Sequence, residues 1–112
     1  MTHKELESYL LSFSNTWVDY PFGEGIAVYK FGHKETGDGT MYAIIEVYSK
    51  PLRVSLKCDP NLAVTLRETY ETVVPGYHLS KKHWNTIICS GQLSREEIKD
   101  LARHSYNLVT NN

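Results

Sequence analysis

Apolar residues recur at helical spacing near the start of the chain and predict an amphipathic first helix. The residues on its predicted buried face are Leu6, Tyr9, Leu10 and Phe13. Thr2 and Glu5 stand just ahead at the spacing of a capping box, in which each side chain satisfies a free backbone N–H. We therefore expect a helix that begins after Thr2 and ends near Ser14 or Asn15.

The pattern then changes from helical spacing to short apolar runs separated by turn residues. Pro21, Gly23 and Gly25 interrupt the segment "NTWVDYPFGEG", which predicts a loop. Two runs rich in β-branched and aromatic residues follow, at 26–31 and 40–49, and predict strands. Asp38-Gly39 lies between them, and this dipeptide tolerates the positive φ of a hairpin turn.

A third run, "LRVSLKC" at 52–58, follows the Lys50-Pro51 break and alternates with a period of two. One predicted face is apolar and carries Leu52, Val54, Leu56 and Cys58. The other is polar and carries Arg53, Ser55 and Lys57. This alternation predicts a strand with one face in water.

The remaining pattern predicts two more helices around a second β segment. Asp59-Pro60 starts a helix, because an N-cap acceptor precedes a proline at the first helical position. Pro75-Gly76 suits the centre of a type II turn, and the apolar run 84–89 predicts a strand. Ser94 and Glu97 form another capping box. The buried faces predicted for the two helices are Leu62, Leu66 and Tyr70, and then Ile98, Leu101, Ser105 and Leu108.

The predicted element order is α-β-β-β-α-β-β-α within a single domain at 1–112. Short hairpin links between strands favour an antiparallel sheet. Apolar stripes on one side of each helix favour helices packed on one face of that sheet. The fold class is therefore α+β, a two-layer domain.

Composition limits the functional classes more than it selects one. Hydrophobic residues make up 41% and charged residues 22%, as in an ordinary globular domain. The formal net charge of −1 provides no overall positive field for DNA or anionic lipid. We find no membrane span and no signal-peptide pattern, and expect a cytoplasmic protein in which Cys58 and Cys89 are free thiols.

Motifs of catalysis and metal binding are absent from the sequence. None of the five histidines has ligand spacing, and no nucleophile elbow, phosphate-binding loop or dinucleotide fingerprint is present. We therefore expect no enzyme activity, no metal and no cofactor. An enzymatic or small-molecule site would require a pocket that joins Tyr77, His83 and Cys89.

One stretch, "VPGYHLSKKHWNTIIC", concentrates basic and aromatic residues. Lys81 and Lys82 are the only formally charged residues between Thr72 and Ser94. Together with nearby groups they form a candidate nucleic-acid patch, since cations bind phosphates. The candidate members of this patch are Lys81, Lys82, His78, His83, Arg53 and Lys57. The competing interpretation is a solvated hairpin tip with Trp84 in the core.

The same stretch resembles the MmcQ/YjbR family of small bacterial proteins. The match comprises Pro-Gly-Tyr, the Lys-Lys-His-Trp-Asn run, and the Ser-Tyr pair and apolar doublet near the end of the last helix. Apart from the lysines and His83, we expect the matching residues to be mainly structural. The matching residues are Pro75, Gly76, Tyr77, Lys81, Lys82, His83, Trp84, Asn85, Ser105, Tyr106, Leu108 and Val109. The segments "DYPFGEGIAVYKFGHK" and "LRVSLKCDPNLAVTLRETY" also resemble the family, so the likeness covers essentially the whole chain.

The resemblance implies the same two-layer layout, which is likened to secretion-chaperone and frataxin-like folds. It also implies a DNA-binding role through a "double wing" of two β-hairpins. The likeness to frataxin suggests iron binding as a further possibility. Iron binding of that kind needs a dense acidic surface on the first helix, and the first predicted helix here carries only Glu5 and Glu7.

Two main hypotheses therefore stay open, with DNA or another protein as the partner. The first is a DNA-binding module, weak and mainly phosphate-directed. The second is a chaperone-like protein-interaction module with no nucleic-acid role, and a small-molecule or enzymatic domain ranks below both. For either main hypothesis we expect no membrane association, and a monomer or a weak dimer.

Overall fold

A computed structural model of the chain describes residues 1–76 and 79–110, which form an antiparallel sheet with helices on one face. Six strands pair in the order β1-β2-β3-β4-β6-β5. The predicted α+β class is confirmed, and the predicted elements occur in the predicted order, with one further strand between the first helix and the first predicted strand. The elements in chain order are α1 (His3–Leu10), β1 (Thr16–Asp19), β2 (Ile26–His33), β3 (Asp38–Glu46), β4 (Arg53–Lys57), α2 (Pro60–Thr69), β5 (Val73–Pro75), β6 (Trp84–Ile88) and α3 (Arg95–Thr110).

The helix starts follow the predicted capping chemistry. The Thr2 hydroxyl accepts the Glu5 N–H at 3.1 Å, and one Asp59 carboxylate oxygen accepts the first free N–H groups of α2. At α3, Ser94 and Glu97 exchange two hydrogen bonds, of 2.9 and 3.1 Å. The pKa of Glu97 is lowered, because its carboxylate accepts the Ser94 N–H.

The first helix is shorter than predicted, and the loop after it contains a strand. α1 ends at Leu10, and Asn15 takes a left-handed φ of 59° before β1 begins. The prediction of an unbroken loop here was wrong for 16–19, where four residues pair with β2. Phe13 lies beyond the helix yet still packs on the core.

The β2–β3 hairpin turns earlier than predicted. Residues 34–37 form the turn, and the positive φ of 76° falls on Gly37. Asp38 and Gly39 belong to β3 and pair with His33 and Gly32, so their predicted role as the turn was wrong.

The polar face of β4 is only partly in water. Arg53 and Lys57 are half-buried, but Ser55 is 8% exposed. Its hydroxyl lies 2.8 Å from the hydroxyl of Thr86, directly opposite on β6. The prediction of a wet face therefore fails at its centre, because two hydroxyls satisfy each other across the strands.

Both later helices bury faces that differ in part from those predicted. α2 buries Ala63 fully, whereas Leu62 and Leu66 are half-buried and Tyr70 lies past the helix end. On α3 the predicted Leu108 is 38% exposed. The buried positions of α3 are Ile98, Ala102, Ser105 and Val109.

Helices and sheet enclose one main core, and no helix among the described residues is long and apolar enough to cross a membrane. Along the strands the sheet has two ends. The β1–β2 and β3–β4 links lie at one end. The β2–β3 turn lies at the other end, together with the described residues of the β5–β6 loop, 76 and 79–83. We call the second the loop end.

Candidate nucleic-acid interface

Most of the predicted basic residues meet at the loop end. Lys81, Lys82 and His83 form an exposed turn immediately before β6. Lys57, the last residue of β4, pairs with Trp84 at the start of β6. The His83 carbonyl accepts the Cys58 N–H at 2.8 Å, which continues the pairing beyond the two strands. Neither Lys81 nor Lys82 forms an ion pair with a carboxylate of the described residues.

Arg67 of α2 fixes the backbone that carries these lysines. Its guanidinium donates to the carbonyl of Lys81, to the carbonyl of Trp84 at 3.4 Å, and to the Asn85 side-chain oxygen at 2.6 Å. A planar guanidinium has five N–H donors in a rigid fork and can therefore hold three separate acceptors in fixed positions. Sequence reasoning missed Arg67. The signal available was a lone arginine near the end of an otherwise uncharged helix face.

Asn85 completes this connection between helix and strand. It is 2% exposed, and its amide nitrogen donates to the Ala63 carbonyl at 3.3 Å. The amide oxygen accepts from Arg67, so both ends of the side chain have partners. The structural role expected for Asn85 agrees with these contacts, because a buried amide needs hydrogen bonds at both ends.

Trp84 packs into the protein and is 5% exposed, which agrees with its expected role as an anchor. The Gly76 N–H donates to the Trp84 carbonyl at 3.0 Å, so Gly76 continues the β5–β6 pairing. Pro75 belongs to β5. The predicted type II turn at Pro75-Gly76 was therefore wrong.

Arg53 stands apart from the other basic residues. It begins β4, four residues before Lys57, which separates their Cα atoms by about 13 Å. Its guanidinium also lies 3.4 Å from the Glu46 carboxylate on the neighbouring strand. The structure thus does not bring Arg53 together with the loop-end lysines.

Two residues named in the sequence analysis, Tyr77 and His78, lie outside the described residues. Among the described residues the candidate interface therefore consists of Lys57, Lys81, Lys82 and His83, and we call these four residues the basic cluster. Its charge is small, with three lysines and one histidine.

The Ser-Tyr pair of α3 joins the helix to the sheet. Ser105 is fully buried; its hydroxyl donates to the Tyr42 carbonyl and accepts the Lys57 N–H at 2.9 Å. Tyr106 stacks on Phe13 with ring centroids 4.5 Å apart, and its hydroxyl donates to the Ser14 carbonyl at 2.7 Å. These contacts are structural, and the one from Ser105 fixes the backbone of a basic-cluster residue.

His83 and Cys89 do not share a pocket. His83 precedes β6 and Cys89 follows it, and they line separate clefts at opposite ends of the strand. Both thiols are free, and burial raises the pKa of each, to about 11 for Cys58. Within the part of the chain that the structure describes, no three His, Cys, Asp or Glu side chains converge on a point that could hold a metal ion.

Comparisons with known proteins point to one family. The YjbR family model matches residues 11–108. Uncharacterized protein YbdF of Escherichia coli O157:H7 is 33% identical over 94 residues, covering 80% of this chain and 69% of that protein. Uncharacterized protein YjbR of Escherichia coli K12 is 37% identical over 75 residues, covering 66% of this chain and 63% of that one.

Solved structures agree. Deinococcus radiodurans protein DR2400, with a DUF419 domain, superposes with a TM-score of 0.92 at 36% identity, over 99% of this chain and 80% of that chain. A Pseudomonas syringae protein superposes with a TM-score of 0.78 at 25% identity, over 97% of this chain and 99% of that chain. Because the family model covers most of the sequence and the fold matches as well, this chain belongs to the YjbR family.

Proposed function

We propose that this protein binds nucleic acid weakly, through phosphate contacts made by the basic cluster at the loop end. The observation that supports this most is the exposed Lys81-Lys82 pair, which has no carboxylate partner among the described residues and stands on a backbone held by Arg67. A fixed backbone lowers the entropy that two lysines lose when they engage a phosphate chain.

The charge distribution gives the proposal an orientation. Acidic residues are concentrated on α1 and α3, where Glu5, Glu7, Glu96, Glu97 and Asp100 lie. The same two helices also carry the basic residues Lys4, Arg95, Lys99 and Arg103, so this layer is close to neutral. It attracts a polyanion less than the loop end does, where Lys81 and Lys82 have no acidic residue near them in the sequence. With a net charge of −1 the protein has little long-range attraction, so affinity should be micromolar or weaker.

Two β-hairpins support the proposal, because the "double wing" that the family resemblance implies consists of two such hairpins. The β2–β3 and β5–β6 hairpins are separated in the sheet by β4, and both turn at the loop end. The β2–β3 turn offers Lys34 beside Glu35. The β5–β6 loop is therefore the more cationic of the two and the better candidate for phosphate contacts.

The test is fluorescence anisotropy with a short labelled duplex at several salt concentrations. Three lysine–phosphate contacts predict a slope of log K against log salt of about −2.7. The double variant Lys81→Ala, Lys82→Ala should flatten the slope by about 2 and weaken binding at low salt.

A matched variant, Lys4→Ala with Lys50→Ala, removes the same charge from exposed positions elsewhere and should bind like the wild type. Arg53→Ala should also leave affinity unchanged, because Arg53 lies at the other end of β4 and its guanidinium pairs with the Glu46 carboxylate. Binding that is insensitive to salt, or equally weakened by both double variants, would contradict the proposal.

A protein partner is the second candidate, favoured by the opposite end of the sheet. Phe22 and Tyr48 are 68% and 69% exposed there, in the β1–β2 and β3–β4 links. Exposed large aromatics are enriched at protein interfaces. If no nucleic acid binds even at low salt, this aromatic end becomes the place to look for a partner.

A further inference from the structure

The sheet ends in two edge strands, and the first of them, β5, offers no free donor to another strand. Its register turns the main-chain groups of Val74 toward β6 and those of Val73 and Pro75 toward the open side. The Val73 N–H is already bonded to the Tyr70 carbonyl at 3.1 Å. Pro75 has no N–H, so proline blocks this edge in the usual way.

The other edge strand, β1, is open on its outer side. The Gly32 N–H donates to the Asn15 carbonyl at 2.9 Å, which fixes the alternation of bonded and non-bonded pairs between β1 and β2. In this alternation Thr16 and Val18 turn their N–H and C=O groups away from β2. No strand among the described residues lies beyond β1, so these groups form a ready template for a further strand.

The side chains of β1 carry an acceptor and a donor without a partner. Because Val18 packs on the core, Trp17 and Asp19 point to the sheet face opposite the helices. The indole Nε1 of Trp17 is buried and has no hydrogen-bond partner among the described residues. The Asp19 carboxylate lies 3.2 Å from the Lys30 ammonium, and its side chain is still 41% exposed. An acid on a neighbouring strand would give the indole N–H its acceptor.

We propose that two copies of this chain pair through their β1 strands, antiparallel, about a two-fold axis at Trp17. In this register Thr16 exchanges hydrogen bonds with the partner's Val18, and Val18 does so with the partner's Thr16. Every outward N–H and C=O of these two residues is then satisfied. Trp17 lies directly opposite the partner's Trp17, where aromatic rings stabilise a strand pair.

This register suits a second copy because it is self-complementary. The partner's Asp19 lies diagonal to Trp17, within reach of the indole N–H after a change of rotamer. A carboxylate has about four acceptor sites and can keep its own contacts. An axis at Val18 would instead set Thr16 opposite the partner's Tyr20. The Tyr20 N–H is already bonded to the Asp19 carboxylate at 2.9 Å, so that register satisfies fewer groups.

The paired segment is short, so the dimer should be weak. β1 has four residues, and such a contact is far smaller than the roughly 1,600 Å² of a standard interface. We therefore expect a dissociation constant of about 0.1–1 mM. The axis reverses the strands, which puts the two basic clusters at opposite ends of the joined sheet. The dimer does not depend on nucleic-acid binding, and either proposal can fail alone.

Sedimentation velocity of the whole chain between about 10 μM and about 1 mM measures the dimer, and amide-resolved NMR over the same range locates it. The dimer fraction should rise with concentration. The Thr16 and Val18 amides should shift and exchange their hydrogens more slowly as it does. A chain that stays monomeric, or a dimer that leaves these two amides unchanged, would overturn the proposal.

Val18→Pro tests the main-chain pairing directly. It removes an N–H that points out of the sheet, a position at which edge strands accept proline. The dissociation constant should rise at least about tenfold. Slow hydrogen exchange at the Val28 and Lys30 amides, which face β1 in the β1–β2 register, verifies that β1 still pairs with β2. An unchanged dissociation constant in a protein with that protection would contradict the proposal.

Trp17→Thr tests the side-chain contacts and keeps a residue that favours strands. It should also raise the dissociation constant about tenfold. Phe22→Thr is the control, because Phe22 is 68% exposed in the β1–β2 link and lies outside the paired segment. If Phe22→Thr weakens association as much as Trp17→Thr does, the exposed aromatic end holds the dimer and the β1 pairing is wrong.

Discussion

Gly76 and Trp84 meet so closely that one added carbon would displace them. A Cβ built on Gly76 would lie 2.8 Å from Trp84 Cβ and 3.3 Å from Leu79 Cβ. Both of these atoms are Cβ atoms bonded directly to the main chain. They cannot rotate away as the end of a long side chain can. Glycine is therefore required at position 76 because of this close approach. The backbone conformation does not require it, since the φ angle of Gly76 is not positive.

Gly76→Ala should therefore lower the free energy of unfolding by about 1–3 kcal/mol, the usual cost of overpacking. Urea unfolding followed by tryptophan fluorescence measures it. Gly25→Ala is the control: a Cβ there meets only the Tyr48 ring, at 3.5 Å, an ordinary contact. Equal stability of the two alanine variants would contradict this account.

Arg67 and Ser55 show what residue-level reasoning could not predict. The alternation of β4 placed Ser55 on a polar face, and only its register against Thr86 shows that the two hydroxyls bury each other. Arg67 contacts groups 14 to 18 residues away, so its partners become visible only after α2 packs beside β6. For Asn85, by contrast, the family resemblance already indicated a structural role.

At the scale of elements, α3 depends on a polar contact in its centre. Ser105 is fully buried and bridges the Tyr42 carbonyl of β3 and the Lys57 N–H of β4. The helical spacing of the sequence placed Ser105 on the buried face of the last helix, where it was the one polar residue and had no evident partner. The two strands it contacts supply the explanation.

Ser105→Ala leaves the part-buried Lys57 N–H and the buried Tyr42 carbonyl without this partner and should cost about 1–3 kcal/mol. Ser12→Ala removes an exposed hydroxyl that donates to the Tyr9 carbonyl, and should change stability by less than about 0.5 kcal/mol. Chemical denaturation of both variants decides the point. A Ser105→Ala protein as stable as the wild type would show that the bridge is dispensable.

Element boundaries were predictable where capping residues mark them and less so elsewhere. The starts of α1, α2 and α3 agree with their predicted caps. β1 was missed because four residues between an asparagine and a proline-glycine segment carry little pattern of their own. Pairing with β2 decides that they form a strand, and the sequence does not display this tertiary contact.

At the scale of the whole molecule, the sheet separates two kinds of surface. The loop end carries the basic cluster, and the opposite end carries Phe22 and Tyr48. The fold class was predictable because it depends on the sum of many patterned positions. The isolation of Arg53 was not, because its Glu46 partner comes from another strand.

The two thiols offer a measure of how the whole molecule opens. Cys58 is 4% exposed and its pKa is raised to about 11 by burial and by the Asp59 charge, while Cys89 is half-buried with a raised pKa. Because the thiolate is the nucleophile, iodoacetamide at neutral pH should modify Cys89 slowly and Cys58 more slowly still.

Mass spectrometry of digested samples gives both rates. In urea above the unfolding midpoint the two cysteines should react quickly and at similar rates, which is the control for their intrinsic chemistry. Modification of native Cys58 as fast as in urea would mean that the packing around this thiol opens readily, which its 4% exposure contradicts.

The strand order has a consequence for how the chain acquires its structure. β1 to β4 pair as sequence neighbours, whereas β6 inserts between β4 and β5. During synthesis the first four strands leave the ribosome together and can pair through local contacts, which form fast. The edge of β4 then stays open until residues 84–88 emerge, and an open edge can pair with another nascent chain. Until then the closure of the sheet depends on β6, the strand that directly follows the turn with Lys81 and Lys82.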